Sequence, residues 1–325
     1  MKNSNYLKII VTLFIGLLTF SSCDSDDDNT PKVLNIVGTA QAVPELSILV
    51  DAVIKADLVD ALSAAGNKTV LAPTNAAFTT FLADKGFNSL SEVPNDVLKQ
   101  ILLNHVIGGA NITSSALIGN TGYTNTLADG PGTTKLSLYY DGTSGVTFNG
   151  GATVTIPDVA TSNGIVHVID EVIALPTIAT FATTNPGLST LVSVLQYADT
   201  GNPTVPYINT VSDATAGPFT VFAPTNGAFT SLLTELNANT LTDIPIATVD
   251  AVLLQHIVSG NVQSSQLSSG TVTTLGGSIT ANATTFTLTD ANNRMSNIVT
   301  TLVDIQGTNG VVHVIDKVLL PAQAN

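Results

Sequence analysis

TVLAPTNAAF at residues 69–78 returns as TVFAPTNGAF at 220–229, and NGIVHVIDEVIALP at 163–176 returns as NGVVHVIDKVLLP at 309–321. Between them ILLNHVIGG (101–109) is echoed by LLQHIVSG (253–260). Three segments repeated in the same order describe one domain duplicated in tandem, and 325 residues suit two domains. All four histidines, His105, His167, His256 and His313, fall inside the repeats. A histidine that recurs in the same setting answers first to the fold, so the duplication itself argues against an enzyme.

The first repeat spans residues 34–175 and the second 176–321. Each opens on a helical pattern. In PELSILVDAVIKADLVDAL (44–62), Leu46, Leu49, Val50, Val53, Ile54 and Leu58 recur at mostly three- and four-residue spacings, and PGLSTLVSVLQYAD (186–199) is the counterpart. Pro44 and Pro186 suit a first helical turn, where a missing N–H costs little. A short buried strand follows at 69–71 or 219–222, stopped by Pro73 or Pro224. The next helix starts at Thr-Asn, where the threonine or Asn75 (Asn226 in the second repeat) can accept first-turn amides. A third helix is predicted over 94–109 and 246–260, ending in glycine. The rest is Thr-, Ser- and Gly-rich with alternating apolar residues, as in KLSLYY (135–140) and SITANATTFTLTD (278–290), and reads as hairpins. Each domain is therefore α+β, helices first and then mostly antiparallel sheet.

Alternation over 164–170 puts Ile165, His167 and Ile169 on one face and Val166, Val168 and Asp170 on the other. A histidine on an apolar face is expected as a hydrogen-bonded core group. Asn163-Gly164 and Asn309-Gly310 read as tight turns launching the strand, and Asp170 and Asp316 as acceptors for backbone amides at its end.

The first 22 residues belong to neither repeat. Lys2 and Lys8 precede the apolar run IIVTLFIGLLTF, which ends at Ser21-Ser22-Cys23, as in a secretory signal. Cys23, the only cysteine, resembles the lipid-attachment residue of bacterial lipoproteins, with Phe20 three residues earlier where leucine is usual. The alternative is plain secretion. Residues 23–33 carry DSDDDNTPK, an acidic tether with nothing to bury, which also resembles the export address of some surface lipoproteins. An outer-membrane lipoprotein exposed at the surface is the expected location. Without the signal, 8 basic and 24 acidic side chains remain, a charge near −16. That charge repels phosphates and excludes nucleic acid as a partner. Calcium bridging by the acidic surface is chemically open, but no EF-hand spacing occurs, and no metal or other cofactor is called for.

The repeated segments resemble the fasciclin-like domain over nearly all of the mature chain. APTNAAF and APTNGAF look like its first signature, NGIVHVID and NGVVHVID like its second, and the histidine-bearing middle block like its Leu-x-x-His-Val-x-x-Gly segment. The resemblance implies a wedge of two β-sheets edged by helices in each domain, and a role in extracellular adhesion. In adhesive members a tyrosine precedes the central histidine; here Asn104 and Gln255 stand there. Asp243-Ile244 resembles the family's Asp-Ile adhesion element, where the first repeat has Glu92-Val93, so the second domain is the favoured binder.

Register adds one clue. Leu49 matches Leu191 at an offset of 142, Pro73 matches Pro224 at 151, and His167 matches His313 at 146. The second domain thus gains nine residues within 199–218, read as a loop insertion, and loses five in its sheet region. Tyr207, in that insertion, joins Tyr139 and Tyr140 as candidates for stacking on a sugar; neighbours 139 and 140 should point to opposite sides of a strand. The expected function is a non-enzymatic, surface-anchored adhesion or interaction protein, touching the membrane only through its lipid. Its partner is an extracellular protein or polysaccharide, or a second copy of the chain. The alternative is a lipoprotein that captures polysaccharide. Nucleophile elbow, zinc-protease, P-loop and dinucleotide motifs are all missing from the sequence.

Overall fold

Both APTN segments lie at the end of a strand buried at the centre of a domain, as seen in a computed structural model describing residues 33–203 and 206–322. The signal, Cys23 and the tether up to residue 32 lie outside the described residues. The first domain runs α1 (Ile36–Gln41), α2 (Ser47–Lys55), α3 (Val59–Ser63), β1 (Lys68–Pro73), α4 (Asn75–Asp84) and α5 (Asn95–Leu103). It continues with β2 (Val106–Gly108), α6 (Ser114–Leu117), β3 (Thr121–Asp129), β4 (Lys135–Asp141), β5 (Thr147–Phe148), β6 (Ala152–Thr161) and β7 (Gly164–Ile169).

Strand β1 pairs in parallel with β7, Leu71 opposite His167, and antiparallel with β2. Such a pair is stable only with both faces covered. Val70, Ala72, Val166 and Val168 turn to a helical core with Leu49, Val53, Phe78 and Leu102. Leu71, Ile107 and Ile169 turn the other way, onto Leu138, Phe148 and Ala152. The strand order β2-β1-β7-β6-β5-β4-β3 makes one sheet that folds over, so that its two ends bury this second core.

The second domain comprises α7 (Ile178–Thr184), α8 (Ser189–Asp199), α9 (Tyr207–Ser212), β8 (Phe219–Pro224), α10 (Asn226–Glu235), α11 (Ile246–Gln255) and β9 (Ile257–Ser259). Strands β10 (Gly270–Thr274), β11 (Gly277–Asn282), β12 (Thr287–Thr289), β13 (Met295–Asn297), β14 (Ile305–Gly307) and β15 (Gly310–Ile315) complete it. Here the layers are separate sheets, β14-β15-β8-β9 and β10-β11-β12-β13. In the first domain β5 pairs with both β4 and β6 and joins the layers. The shorter second sheet region leaves only an isolated bridge, Ile298 to Ile315. Both domains are α+β with two sheet layers edged by helices, as the resemblance implies.

Three local expectations change. The predicted third helix stops at Leu103 or Gln255, and Val106–Gly108 or Ile257–Ser259 is a strand beside β1 or β8. The glycines after it, Gly109 and Gly260, have φ of +80° and +105° and turn the chain after the strand. The opening helix is broken at Asp57, whose φ is +55°. The 199–218 segment is only partly a loop. Asn163 donates to the carbonyl of Leu62 as Asn309 does to that of Val211, which sets the offset there at 149. Seven of the nine extra residues therefore fall at 200–206, and α9 is the equivalent of α3.

The domains meet where the outer face of β3 and β4 receives α7 and β14. Tyr139 is buried in the second domain's core beside Phe181 and Ile305. The Tyr123 ring lies 5.1 Å from Tyr139 and edge-on to Phe181 at 5.7 Å. Asn185 donates to the Tyr123 hydroxyl at 3.0 Å, and the Gln306 N–H to the buried Ser137 hydroxyl at 2.9 Å. This shared core packs the two domains directly against each other. Phe181→Ala should cost roughly 3–5 kcal/mol and split thermal unfolding into two transitions; a single transition unshifted from wild type would show that Phe181 contributes nothing to the joint.

Candidate functional site

Helices α5 and α11 end beside their central histidines. The Nδ1–H of His105 donates to the Ile101 carbonyl at 2.7 Å, and Nε2 accepts the Ile173 N–H at 2.9 Å. His256 repeats the pattern with Val252 and Leu319, at 2.7 and 2.9 Å. Each ring is neutral, because Nε2 must keep its lone pair for a backbone N–H. Burial pulls both imidazoles down to about 4, against the partial support of the helix carbonyl. Each ring thereby ties its helix to the chain leaving the last strand of its domain.

The strand histidines do a second job. Nε2 of His167 donates to the Ile112 carbonyl at 2.8 Å and Nδ1 accepts the Asp158 N–H at 3.1 Å. His313 binds Val262 and Asp304 in the same way, at 2.9 and 3.3 Å; burial lowers its pKa, opposed by the Val262 carbonyl and Asp304. Asp158 and Asp304 sit at φ of +58° and +55°, and their carboxylates hold the amide and hydroxyl of Ser114 and Ser264. Serine, aspartate and histidine are thus neighbours twice over. The arrangement is nonetheless no hydrolase triad, because Nε2 faces a carbonyl and the serine is bound to the aspartate. Sequence reasoning missed both aspartates; the signal was an Asp five residues before each Asn-Gly.

The asparagines are also bound internally. Asn75 accepts the Ile48 N–H and donates to the Pro44 carbonyl and Ser47 hydroxyl, while Thr74 caps α4. Asn226 does the same with Thr190, Pro186 and Ser189. Asn163 and Asn309 are turn residues that accept the first amide of α1 or α7, from Ile36 or Ile178. The following glycines are required by close approach: a Cβ on Gly164 would lie 2.3 Å from the Lys68 carbonyl oxygen, and one on Gly310 2.1 Å from that of Phe219. Asp170 accepts the Thr153 N–H at 2.6 Å and Asp316 that of Asn297 at 2.7 Å. Asn104 and Gln255, in place of tyrosine, are buried and donate to the carbonyls of Ala174 and Ser278.

Two of the three partner-binding candidates are not at the surface. Tyr207 is 6% exposed, because the 149 offset sets it in the place of the buried Leu58. Its hydroxyl donates to the Asp250 carboxylate at 2.5 Å. Ile244 is 8% exposed and packs in the domain core. Asp243 is exposed, yet its carboxylate accepts the N–H groups of Asn239 and Thr240, both at 2.9 Å. Glu92 does the same for Asn88 in the first domain. Tyr139 is buried at the domain interface and Tyr140 is half-buried. Among the described residues no three His, Cys, Asp or Glu side chains are grouped to hold a metal ion, and no helix is long and apolar enough to cross a membrane.

Folded-state values near 4 for His105 and His256 make stability fall as pH drops from about 6.5 toward 4, since the unfolded chain then binds the extra protons. Urea unfolding at pH 4.5 should give about 2–3 kcal/mol less stability per imidazole than at pH 7.5; equal midpoints would refute the neutral buried rings. Tyr207→Ala should cost roughly 3–5 kcal/mol by the same measurement, and a loss under 1 kcal/mol would place the ring outside the core.

The Fasciclin domain profile matches residues 44–176 and 186–321. Protein sll1483 of Synechocystis is 34% identical over 145 residues, 45% of this chain and 73% of that protein. Human periostin is 25% identical over 311 residues, 90% of this chain and 32% of periostin. Cell surface glycolipoprotein MPB83 of Mycobacterium bovis is 33% identical over 144 residues, 44% of this chain and 60% of that protein. A solved FAS1 domain pair from the insect cell adhesion molecule fasciclin I shares the fold, with a TM-score of 0.50 and 19% identity over 85% of this chain and 97% of that one. The repeated segments, the doubled two-layer fold and the profile match make this chain a member of the fasciclin domain family, with two such domains in tandem.

Proposed function

We propose that this chain is a non-enzymatic adhesion or interaction protein, exported and held at the outer surface of a bacterial cell by a lipid on Cys23. One observation carries the non-enzymatic part. The histidines, asparagines and aspartates that recur in both domains are matched pair for pair in internal hydrogen bonds. Their ring nitrogens, amides and carboxylates are thereby held in the fold and are not presented as free bases. The adhesive part is supported by the family, whose members include a cell surface glycolipoprotein and a domain pair from a cell adhesion molecule.

A second reading, polysaccharide capture, is favoured by one surface. In the second domain Ile279 and Ala281 of β11 point into the core, while Ser278, Thr280 and Asn282 are exposed on the other face. Thr271 and Thr273 of β10, also exposed, pair with Thr280 and Ser278. The corresponding hairpin face of the first domain carries Ser137 and Tyr139 and docks the second domain. This hydroxyl-rich face suits hydrogen-bonded recognition of a glycan or a polar protein surface, with exposed Asp243 elsewhere on the same domain.

Cys23→Ala should move the protein from the detergent phase to the aqueous phase and release it from cells; unchanged partitioning and anchoring would refute the lipid attachment. The full chain should be screened against polysaccharides and matrix proteins, with calcium and with chelator. Saturable retention lost in a Thr271→Glu/Thr280→Glu variant would place recognition on the hairpin face, and a calcium requirement would assign bridging to the acidic surface. Retention untouched by that variant would move the contact elsewhere, with Asp243→Asn the next variant.

A further inference from the structure

The first domain is hollow between its sheet layers. A cleft of about 300 Å³ lies between β1–β2 and β3–β5, walled by Ile107, Ile112, Leu117, Thr124, Tyr140 and Phe148. That is at the small end for ligand pockets, roughly 300–1,000 Å³, and twice the roughly 150 Å³ that admits benzene. Every residue lining it is uncharged. Exposed Ala116 of α6 stands at the mouth, and Tyr140 and Thr124 are half-buried along the wall.

Two features separate this cleft from loose packing. The Tyr140 ring runs over Gly122, its strand partner, where a Cβ would lie 2.9 Å from the phenol oxygen; the glycine makes room for the ring. Among the described residues no side-chain hydrogen bond uses the hydroxyl of Tyr140 or Thr124, and neither oxygen is closed off from the cleft and solvent. By contrast Thr69, also in the wall, donates to the Ala110 carbonyl and accepts the Ile112 N–H. The second domain differs at the matching wall positions: Val258 and Val262 stand for Ile107 and Ile112, and Ala281, opposite Gly270, stands for Tyr140, opposite Gly122. Gln266 stands for Ala116, its side chain turned back onto the Gln263 N–H. The phenol over the cleft is thus particular to the first domain.

We infer that the cleft between the sheets of the first domain binds a small uncharged aromatic alcohol or phenol, its ring among Ile107, Ile112, Leu117 and Phe148 and its hydroxyl on Tyr140 or Thr124. An uncharged wall disfavours a charged ligand, because no cation or anion lines it to offset the lost hydration. Two hydroxyls open to the cleft select a ligand that brings one polar group.

The test titrates p-cresol, benzene and p-hydroxybenzoate into full-length protein with labelled isoleucine and leucine methyl groups. Saturable p-cresol shifts confined to Ile107, Ile112 and Leu117 are expected, with none from the charged benzoate. Tyr140→Phe should weaken p-cresol about five- to tenfold and leave benzene unchanged. Ala116→Trp, a substitution at an exposed position in a chain without tryptophan, should block the mouth and abolish the shifts while leaving the circular dichroism unchanged. Absent shifts, or shifts that persist in folded Ala116→Trp, would overturn the site. Equal affinity for benzene and p-cresol, or for p-cresol in wild type and Tyr140→Phe, would overturn the ligand class.

Discussion

The parallel pairing of β1 with β7, and of β8 with β15, sets the terms for the rest of each domain. Strands covered on both faces cannot take water as a partner, so polar groups around them need partners within the protein. That requirement accounts for the histidines. His167 and His313 satisfy a carbonyl and an amide on the loop and strand flanking β7 and β15, while His105 and His256 secure the chain that leaves those strands. The same crowding excludes any side chain at Gly164 and Gly310. Family signatures that look like catalytic clusters are the hydrogen-bonding complement of a doubly buried strand pair.

Duplication leaves the buried hydrogen bonds alike and lets the surfaces diverge. Matching residues in the two domains make matching bonds, because each is fixed by the same buried geometry. The face of β3–β4 is under no such constraint. In the first domain its tyrosines receive Phe181, whereas the second domain's hairpin presents threonine, serine and asparagine to solvent. The position of Phe181 is Thr39 in the first domain, so the half of the contact that would receive a preceding domain also lacks its aromatic anchor. The joint and the exposed hydroxyl-rich face thus lie on corresponding hairpins of different domains. Tyr123 records how well the joint is sealed: burial pushes its phenol up to about 12, even with Asn185 donating to it.

Much of this was legible in the chain. The repeated order of APTN, the central histidine and the Asn-Gly strand established tandem α+β domains, because a buried strand pair tolerates few alternatives at those positions. Less was legible at the edges. Residues 199–218 look like a loop insertion by spacing, yet Tyr207 and Val211 fill the place of a first-domain core helix. An Asp-Ile dipeptide can serve a partner or close a turn, and the buried Ile244 with the capping carboxylate of Asp243 serves the turn here.

Sequence by itself determined the number of domains, their class, which residues form the doubly buried strands, and that the repeated histidines belong to the fold. These follow from local pattern and from the rule that buried polar groups are paired. Tertiary structure alone decided which partner each polar group finds, which tyrosines face a domain interface and which a cleft, and that Tyr207–Ser212 takes the place of a first-domain helix. Those outcomes depend on segments 30 to 170 residues apart meeting in space, as when the Gln306 amide reaches the Ser137 hydroxyl across a separation of 169. No local pattern encodes such meetings, because they are set by how two whole layers of sheet and helix close on each other.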